Sequence, residues 1–450
     1  MSGIIHYILD LGAGIFLPIV MIILGVIMGM KFKKAFSSGL TLGIAFTGMG
    51  VILGFMFGAI SPVATEFVKN TGIELSTIDV GWSPLAAIAW AWPYALALFP
   101  LQIGINILML AFGWTNILNV DLWNVWSKIL TAVIVAAVTG SIPAAFVIAT
   151  IQIIVELKSG DLIQKPIEKI TKIPGVTCTH GMMLQGILIA PVNRLLDYIP
   201  GLKNKKVDAA ALKEKIGIFG ENGVMGFIVG GLIALAGGYD IKGIFTTAIQ
   251  VSAALTLFPM VAKLFMQALA PIADAANEFM KKKFKDREIY IGLDWPFLAG
   301  SAEIWVCAII LVPIELVIAV LMSKAGFNTV LPLGGIINIC FTPVALIVTG
   351  GDLLRMIILG TIFTPVYLAV ATNFAPMVTE LARQVGTIDI PANQTLIWST
   401  LEAPAFRWIM AQAANVINGE FLGIIILAGY AALAVWYYKH MTKLKGEELA

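Results

Sequence analysis

The chain reads as an all-α polytopic membrane protein, with about 11 transmembrane helices, two re-entrant hairpins and two inverted repeats expected. Composition, the spacing of apolar segments and internal self-similarity lead to that class. Of 450 residues, 59% are apolar and only 12% charged, against about 25% charged in a soluble domain. That supplies about 266 apolar side chains, and at ~20 per crossing the ceiling is about 13 spans. A soluble enzyme, a disordered chain and a nucleic-acid binder are excluded. The net charge of +2 says little, because in a membrane protein the placement of charges matters more than their sum.

Two long apolar segments, 12–30 and 36–60, are joined by Lys31, Lys33 and Lys34. Further apolar stretches cover 84–112, 122–140, 141–157, 222–237, 243–270, 296–323, 331–349, 352–372 and 419–438. Segments 173–200 and 391–418 are apolar enough to enter a bilayer but are interrupted by polar residues, glycine and proline. Non-helical backbone at that depth survives only inside protein or beside a wet cavity, so both are expected to be re-entrant hairpins. The first apolar run lacks a basic leader and a small-residue cleavage site, and is expected to be a retained helix. Basic residues gather at 31–34, 158–172, 203–215, 281–287 and 439–445, which together hold 20 of 29. The positive-inside rule then places the N-terminus outside and the C-terminus in the cytoplasm.

The chain also matches itself. Gly14, Gly29, Lys33, Phe36 and Pro62 recur 209 positions later as Gly223, Gly238, Lys242, Phe245 and Pro271. Trp82, Trp92, Pro100 and Gly113 recur at an offset of 213 as Trp295, Trp305, Pro313 and Gly326. Thr139-Gly140 matches Thr349-Gly350 at 210, and Ala190-Pro191-x-x-Arg194 matches Ala403-Pro404-x-x-Arg407 at 213. The 61–83 loop is poor in basic residues while its counterpart, 271–292, carries Lys281 to Arg287, so the halves are expected to face opposite sides of the membrane. Inverted repeats with broken helices characterise alternating-access carriers, with the substrate site near the midplane.

Polar groups in apolar surroundings are costly and each needs a reason. Asp79 and Trp82, and Asp294 and Trp295, stand at repeat-related starts of long helices, beside Pro84 and Pro296. Their carboxylates suit sugar hydroxyls and their indoles suit the C–H face of a polyol; the bland alternative is that each Asp caps its helix. Trp123, Asn124 and Trp126 open another helix, where the indoles serve equally as interfacial anchors. Thr177-Cys178-Thr179-His180-Gly181 opens the first hairpin, and its counterpart carries Asn393, Gln394 and Glu402. His180 beside Gly181 suits proton transfer or hydrogen bonding, or else a structural bond to backbone. Arg194 and Arg407, recurring together, suggest a shared structural role. Cys178, Cys307 and Cys340 lack metal or disulfide spacing. No Walker loop, zinc helix, dinucleotide fingerprint or nucleophile elbow is found, so no cofactor and no metal are expected.

In order, Asp79-Val80-Gly81-Trp82, Asn119-Val120-Asp121-Leu122-Trp123-Asn124, His180-Gly181, Gly238-Tyr239-Asp240-Ile241-Lys242-Gly243 and Ile291-Gly292-Leu293-Asp294 resemble the galactitol-type IIC component of the bacterial phosphoenolpyruvate-dependent sugar phosphotransferase system. That resemblance runs from about Leu9 to the final helix. The sequence departs from the pattern at Thr179, where proline often precedes the His-Gly pair, and at Ser127, where histidine can follow the tryptophan.

The resemblance implies a homodimeric inner-membrane carrier related to the ascorbate-type IIC proteins. Its scaffold would be 1–75 and 206–290. Its elevator core would be 76–205, with hairpin 173–200, and 291–450, with hairpin 391–418 and a C-terminal helix. By position, His180 and Asp294 fall on ligand-contacting residues, and the 123–126 segment and Asn338–Phe341 on others, which adds Asn338 and Phe341 to the candidates. Cytosolic IIA and IIB subunits would relay phosphate, IIB through a phosphocysteine, to galactitol or a related polyol, with His180 or Asp294 accepting the hydroxyl proton. The competing readings are an ion-coupled secondary transporter of unmodified substrate and, more weakly, a membrane transferase acting alone.

Overall fold

The computed structural model describes residues 13–70, 72, 75–121, 124–202, 206–207, 221–284, 287–332, 340–385, 390, 394–398 and 404–449. The first half runs α1 (Ala13–Ile27), α2 (Phe32–Asn70), β1 (Thr77–Asp79), α3 (Trp82–Ala91), α4 (Leu98–Ala111), β2 (Ile117–Asn119), α5 (Val125–Thr139), α6 (Ile142–Thr171), β3 (Val176–Cys178) and α7 (Gly186–Leu195). The second runs α8 (Asn222–Ala236), α9 (Ile241–Phe284), β4 (Tyr290–Leu293), α10 (Ala302–Lys324), β5 (Val330–Leu331), α11 (Thr342–Thr349), α12 (Leu353–Val385), β6 (Thr395–Ile397) and α13 (Pro404–Ala414). α14 (Leu422–Leu449) follows. The same order of helices and strands thus occurs twice, with α3 and α4 together standing opposite a 3-10 turn (Trp295–Gly300) plus α10.

The repeat read from the sequence is carried by the backbone. Gly29 and Gly238, Gly113 and Gly326, and Gly140 and Gly350 all adopt positive φ, a conformation that costs other residues strain, so the matched glycines close matching helix ends. α2 and α9 continue past the apolar stretches to Asn70 and Phe284, so the first part of each segment read as a loop is helix.

α2 packs along α9, with α1 on α2 and α8 on α9. Met49, Met56 and Phe265 are buried within this group, and Phe46 meets Phe265 edge-on at 5.0 Å. Among the described residues, Phe32–Ile60 of α2, α6, α10, α12 and Leu422–Leu444 of α14 are each long and apolar enough to cross a bilayer. The single stretch expected over 84–112 is broken: α3 and α4 meet at 89°. Trp92, which precedes Pro93, takes an extended conformation there (φ −63°, ψ 129°), as the proline ring disfavours helix in the residue before it. The 15 residues of α5 rise ~23 Å, short of a ~30 Å hydrocarbon core. The chain is therefore multi-pass, and its helices are more unequal than eleven uniform spans.

The helical class needs one addition: two small parallel sheets, in the orders β5–β1–β6 and β2–β4–β3. Each central strand comes from one repeat and both of its neighbours from the other. Thr77 pairs with Val330 and Ile117 with Tyr290; adding 213 to 77 and 117 gives 290 and 330, so the two pairings are the same pairing with the halves exchanged. The outer strands follow a different offset. Ile78 and Ile291 are equivalent centres that face Leu396 and Val176, and 396 − 176 is 220. On that offset α7 overlays α13 and the counterpart of Arg194 is Ala414.

The AP-x-x-R match is therefore accidental, and the shared role expected for its arginines does not hold. Arg194 is exposed on the last turn of α7, paired with Asp197. Arg407 is fully buried in the first turn of α13.

Interleaving makes each sheet a joint that neither repeat completes alone. Ile291 donates its N–H to Gly175 O at 2.9 Å. Ile291→Pro removes that donor and is expected to abolish recovery of monodisperse protein from detergent, while Ile291→Val leaves the elution profile unchanged.

Candidate functional site

β2, β4 and β3 run parallel, so their C-terminal ends share one edge, and Asp121, Asp294 and His180 follow those ends. The edge is stitched by backbone bonds from Val120 N to Gly292 O (3.1 Å) and from Thr179 N to Leu293 O (3.2 Å). Asn119 Oδ1 accepts from Thr179 Oγ1 (2.9 Å) and from Asp121 N (3.0 Å). Thr179 thus ties the segment between β3 and α7 to β2. Gly292 is glycine for a packing reason, since a Cβ there would lie 2.6 Å from Thr179 Cγ2.

His180 Nε2 stands 3.6 Å from Asp294 Oδ1, with both side chains largely buried. His180 Nδ1 accepts from Met182 N (3.3 Å), so in the neutral ring the proton resides on Nε2, the nitrogen facing Asp294. Asp294 also caps the 3-10 turn that follows, accepting from Trp295 N at 2.7 Å. The capping reading of Asp294 holds, and the same oxygen faces the histidine. Asp121 accepts from Asn124 Nδ2 (2.7 Å) and Asn124 N (3.3 Å), and Asn124 Oδ1 accepts from Trp126 Nε1 (3.0 Å). The Asn124 amide lies close enough to Asp294 to favour its carboxylate, and the Asp121 carboxylate close enough to repel it. His180, Asp294, Asn124, Asp121 and Trp126 therefore form one buried polar cluster with Gly181 beside it.

The other candidates lie on several elements. Asp79 is buried in the other sheet, β5–β1–β6, where its Oδ1 accepts from Gly81 N at 3.1 Å and forms a local turn before α3. Its strand partner Ile397 precedes Trp398, whose ring lies 6.2 Å from that of Trp126. Trp82 begins α3. Trp295 is half-buried on the 3-10 turn. Phe341 caps α11 and packs 6.5 Å from Phe363. α11 rests against the 3-10 turns at 181–185 and 295–300, and Gln185 Nε2 donates to Cys340 O (3.1 Å). Trp123, Asn338, Asn393 and Glu402 lie outside the described residues.

Sequence reasoning passed over a second layer. Lys128 on α5 and Glu156 on α6 form an ion pair at 2.6 Å, with both side chains 1% exposed. Gln152 Nε2 donates to Glu156 Oε1 (2.7 Å) and reaches Ser127 Oγ (3.4 Å). Arg407 donates to Ser127 O (3.1 Å), Ser127 Oγ (2.8 Å) and Thr131 Oγ1 (3.0 Å), and Lys128 Nζ donates to Asn124 O (3.3 Å). The signal was available: a single lysine within 122–140 and a single glutamate within 141–157 are intramembrane ionisable groups, which mark sites by default. Among the described residues no group of three or more His, Cys, Asp and Glu side chains is arranged to hold a metal.

The structure is that of a multi-pass membrane protein built from two interleaved repeats, with a buried carboxylate–histidine pair at their junction that draws one side chain from each half. Residues 7–392 match the family described as the PTS system sugar-specific permease component, and the chain belongs to that family. It is 34% identical over 433 residues, 95% of each chain, to the PTS system galactitol-specific EIIC component of Escherichia coli K12, and equally to that of strain O157:H7. It is also 29% identical over 435 residues, 96% of this chain and 98% of the other, to a putative permease IIC component of E. coli K12.

Arg407 joins α13 of one repeat to α5 of the other through a forked set of bonds that an ammonium cannot reproduce. Arg407→Lys is expected to cost about 1–3 kcal/mol by removing charge-assisted bonds that buried oxygens of Ser127 and Thr131 accept, read as a lower melting temperature of the purified protein.

Proposed function

We propose that this chain is the membrane-embedded IIC subunit of a galactitol phosphotransferase complex. It takes galactitol or a closely related polyol from outside, carries it across the inner membrane and presents it to a phosphocysteine on a cytosolic IIB subunit, itself charged through IIA. The observation that carries this reading is near full-length similarity to galactitol-specific EIIC components, in a chain whose polar cluster suits a polyol. In this reading the N-terminus is outside and the C-terminus cytoplasmic. The α1, α2, α8 and α9 group is the scaffold of a homodimer, and the remaining elements form a core that moves as an elevator. The close burial of His180 and Asp294 supports a carrier that opens its site only by moving such parts.

The chemistry assigned to this chain is positioning and proton removal. A polyol oxygen attacks the phosphorus of the phosphocysteine, forming the P–O bond as the S–P bond breaks and the thiolate leaves; the hydroxyl proton passes to this chain. His180 presents Nε2–H toward Asp294, so we assign the acceptor role to the Asp294 carboxylate and the donor role, orienting a hydroxyl, to His180. Asn124, its amide held by Asp121 and Trp126, orients neighbouring groups.

In membrane vesicles supplied with IIA, IIB and phosphoenolpyruvate, labelled galactitol is expected inside only as its phosphate. Uptake of unmodified galactitol driven by an ion gradient would instead identify a secondary transporter. Asp294→Asn is expected to lower the phosphorylation rate at least ~100-fold, as loss of a general base does. Full activity in that variant removes Asp294 from the base role.

A further inference from the structure

The ion pair of Lys128 and Glu156 has no part in the chemistry above, yet it touches the element that carries His180. Gly181 shows how. A Cβ built on Gly181 would lie 2.9 Å from Glu156 Oε1, 3.2 Å from Ser127 Oγ and 3.3 Å from Gln152 Nε2. The backbone of the hairpin tip therefore rests directly on the carboxylate, with no side chain between them. The carboxylate is itself fixed on two sides, by Lys128 Nζ (2.6 Å) and Gln152 Nε2 (2.7 Å). Gly181 is the residue between His180 and Met182, whose N–H anchors His180 Nδ1. A shift of the tip would thus turn the imidazole relative to Asp294. Two buried charges are an expensive way to fill space, and well-packed apolar residues would serve stability as well or better, so a role in geometry accounts for them where stability does not.

We propose that Glu156, neutralised by Lys128, is a positioning residue that forms the seat for the His180–Gly181 tip. The role is one of shape: an uncharged isostere fills the seat and a truncated side chain empties it. This rests on the carrier reading above for its activity test and on nothing but the fold for its structural test.

Lys128→Met together with Glu156→Gln removes both charges and keeps the seat, so neither partner is left as a lone buried charge. Lys128→Met together with Glu156→Ala empties it. In hydrogen-exchange mass spectrometry of the purified protein without substrate, protection of 180–186 is expected to survive in the first double variant and to fall at least about tenfold in the second. In the phosphorylation assay the first is expected to keep kcat within about threefold and the second to lose about tenfold or more, with KM little changed, because misplacing a reacting group acts on turnover. Gly181→Ala is expected to lower kcat about tenfold alone and to add little to the emptied seat, a non-additive pair.

Equal protection of 180–186 in both double variants overturns the proposal whether or not galactitol is the substrate. Loss of kcat in the Gln variant equal to that in the Ala variant overturns it too, by showing that the charge itself acts. Strict additivity with Gly181→Ala would show that the contact carries no coupling.

Discussion

Backbone hydrogen bonding inside a membrane is the constraint on which this fold depends. Among the described residues each repeat contributes three short strands where the chain leaves the helix within the packed interior, and lipid offers those amides no partner. The solution is exchange: the strand leading into one repeat's broken helix lies between two strands of the other, and the reverse. Strands of two to four residues would be negligible in a soluble protein. Here they satisfy the exposed backbone, hold the two halves together and set the edge from which the polar side chains emerge. His180 and Asp294 meet because β3 and β4 are neighbours in register, with Cys178 opposite Leu293.

The same junction concentrates the polar side chains. Asp121, Asn124, Trp126, Lys128, Glu156, Gln152, Ser127 and Arg407 form a continuous buried network across α5, α6 and α13, bonded largely to one another. Isolated charges at such depth are costly, and pairing lowers that cost without removing it. The network therefore reads as a device for geometry. It joins α13 of the second repeat to α5 and α6 of the first, and it lies against the backbone of Gly181, next to the histidine.

Much of this was legible in the chain. Glycine, tryptophan and proline held their offsets because each is tied to a backbone event: a left-handed helix end, a helix start, a break. The Ala-Pro-x-x-Arg match misled because nothing in the backbone required it, and the strand register places its two arginines on different turns. The strands could not be read, since two to four residues carry too little periodicity and their partners lie more than a hundred positions away. Lys128 and Glu156 were visible as letters. Their pairing was hidden because a lysine among apolar residues is easily counted toward orientation, and only the packing of α5 on α6 brings it to a carboxylate.

The sequence by itself determined the membrane class, the doubled architecture and the family resemblance, because composition, periodicity and backbone-constrained residues are local properties that survive in one dimension. Tertiary structure alone decided which strands pair, which of the many polar side chains share a cluster and why Gly181 has no side chain. Those outcomes depend on distances of about three ångströms between residues far apart in the chain, set only when the two repeats close on one another.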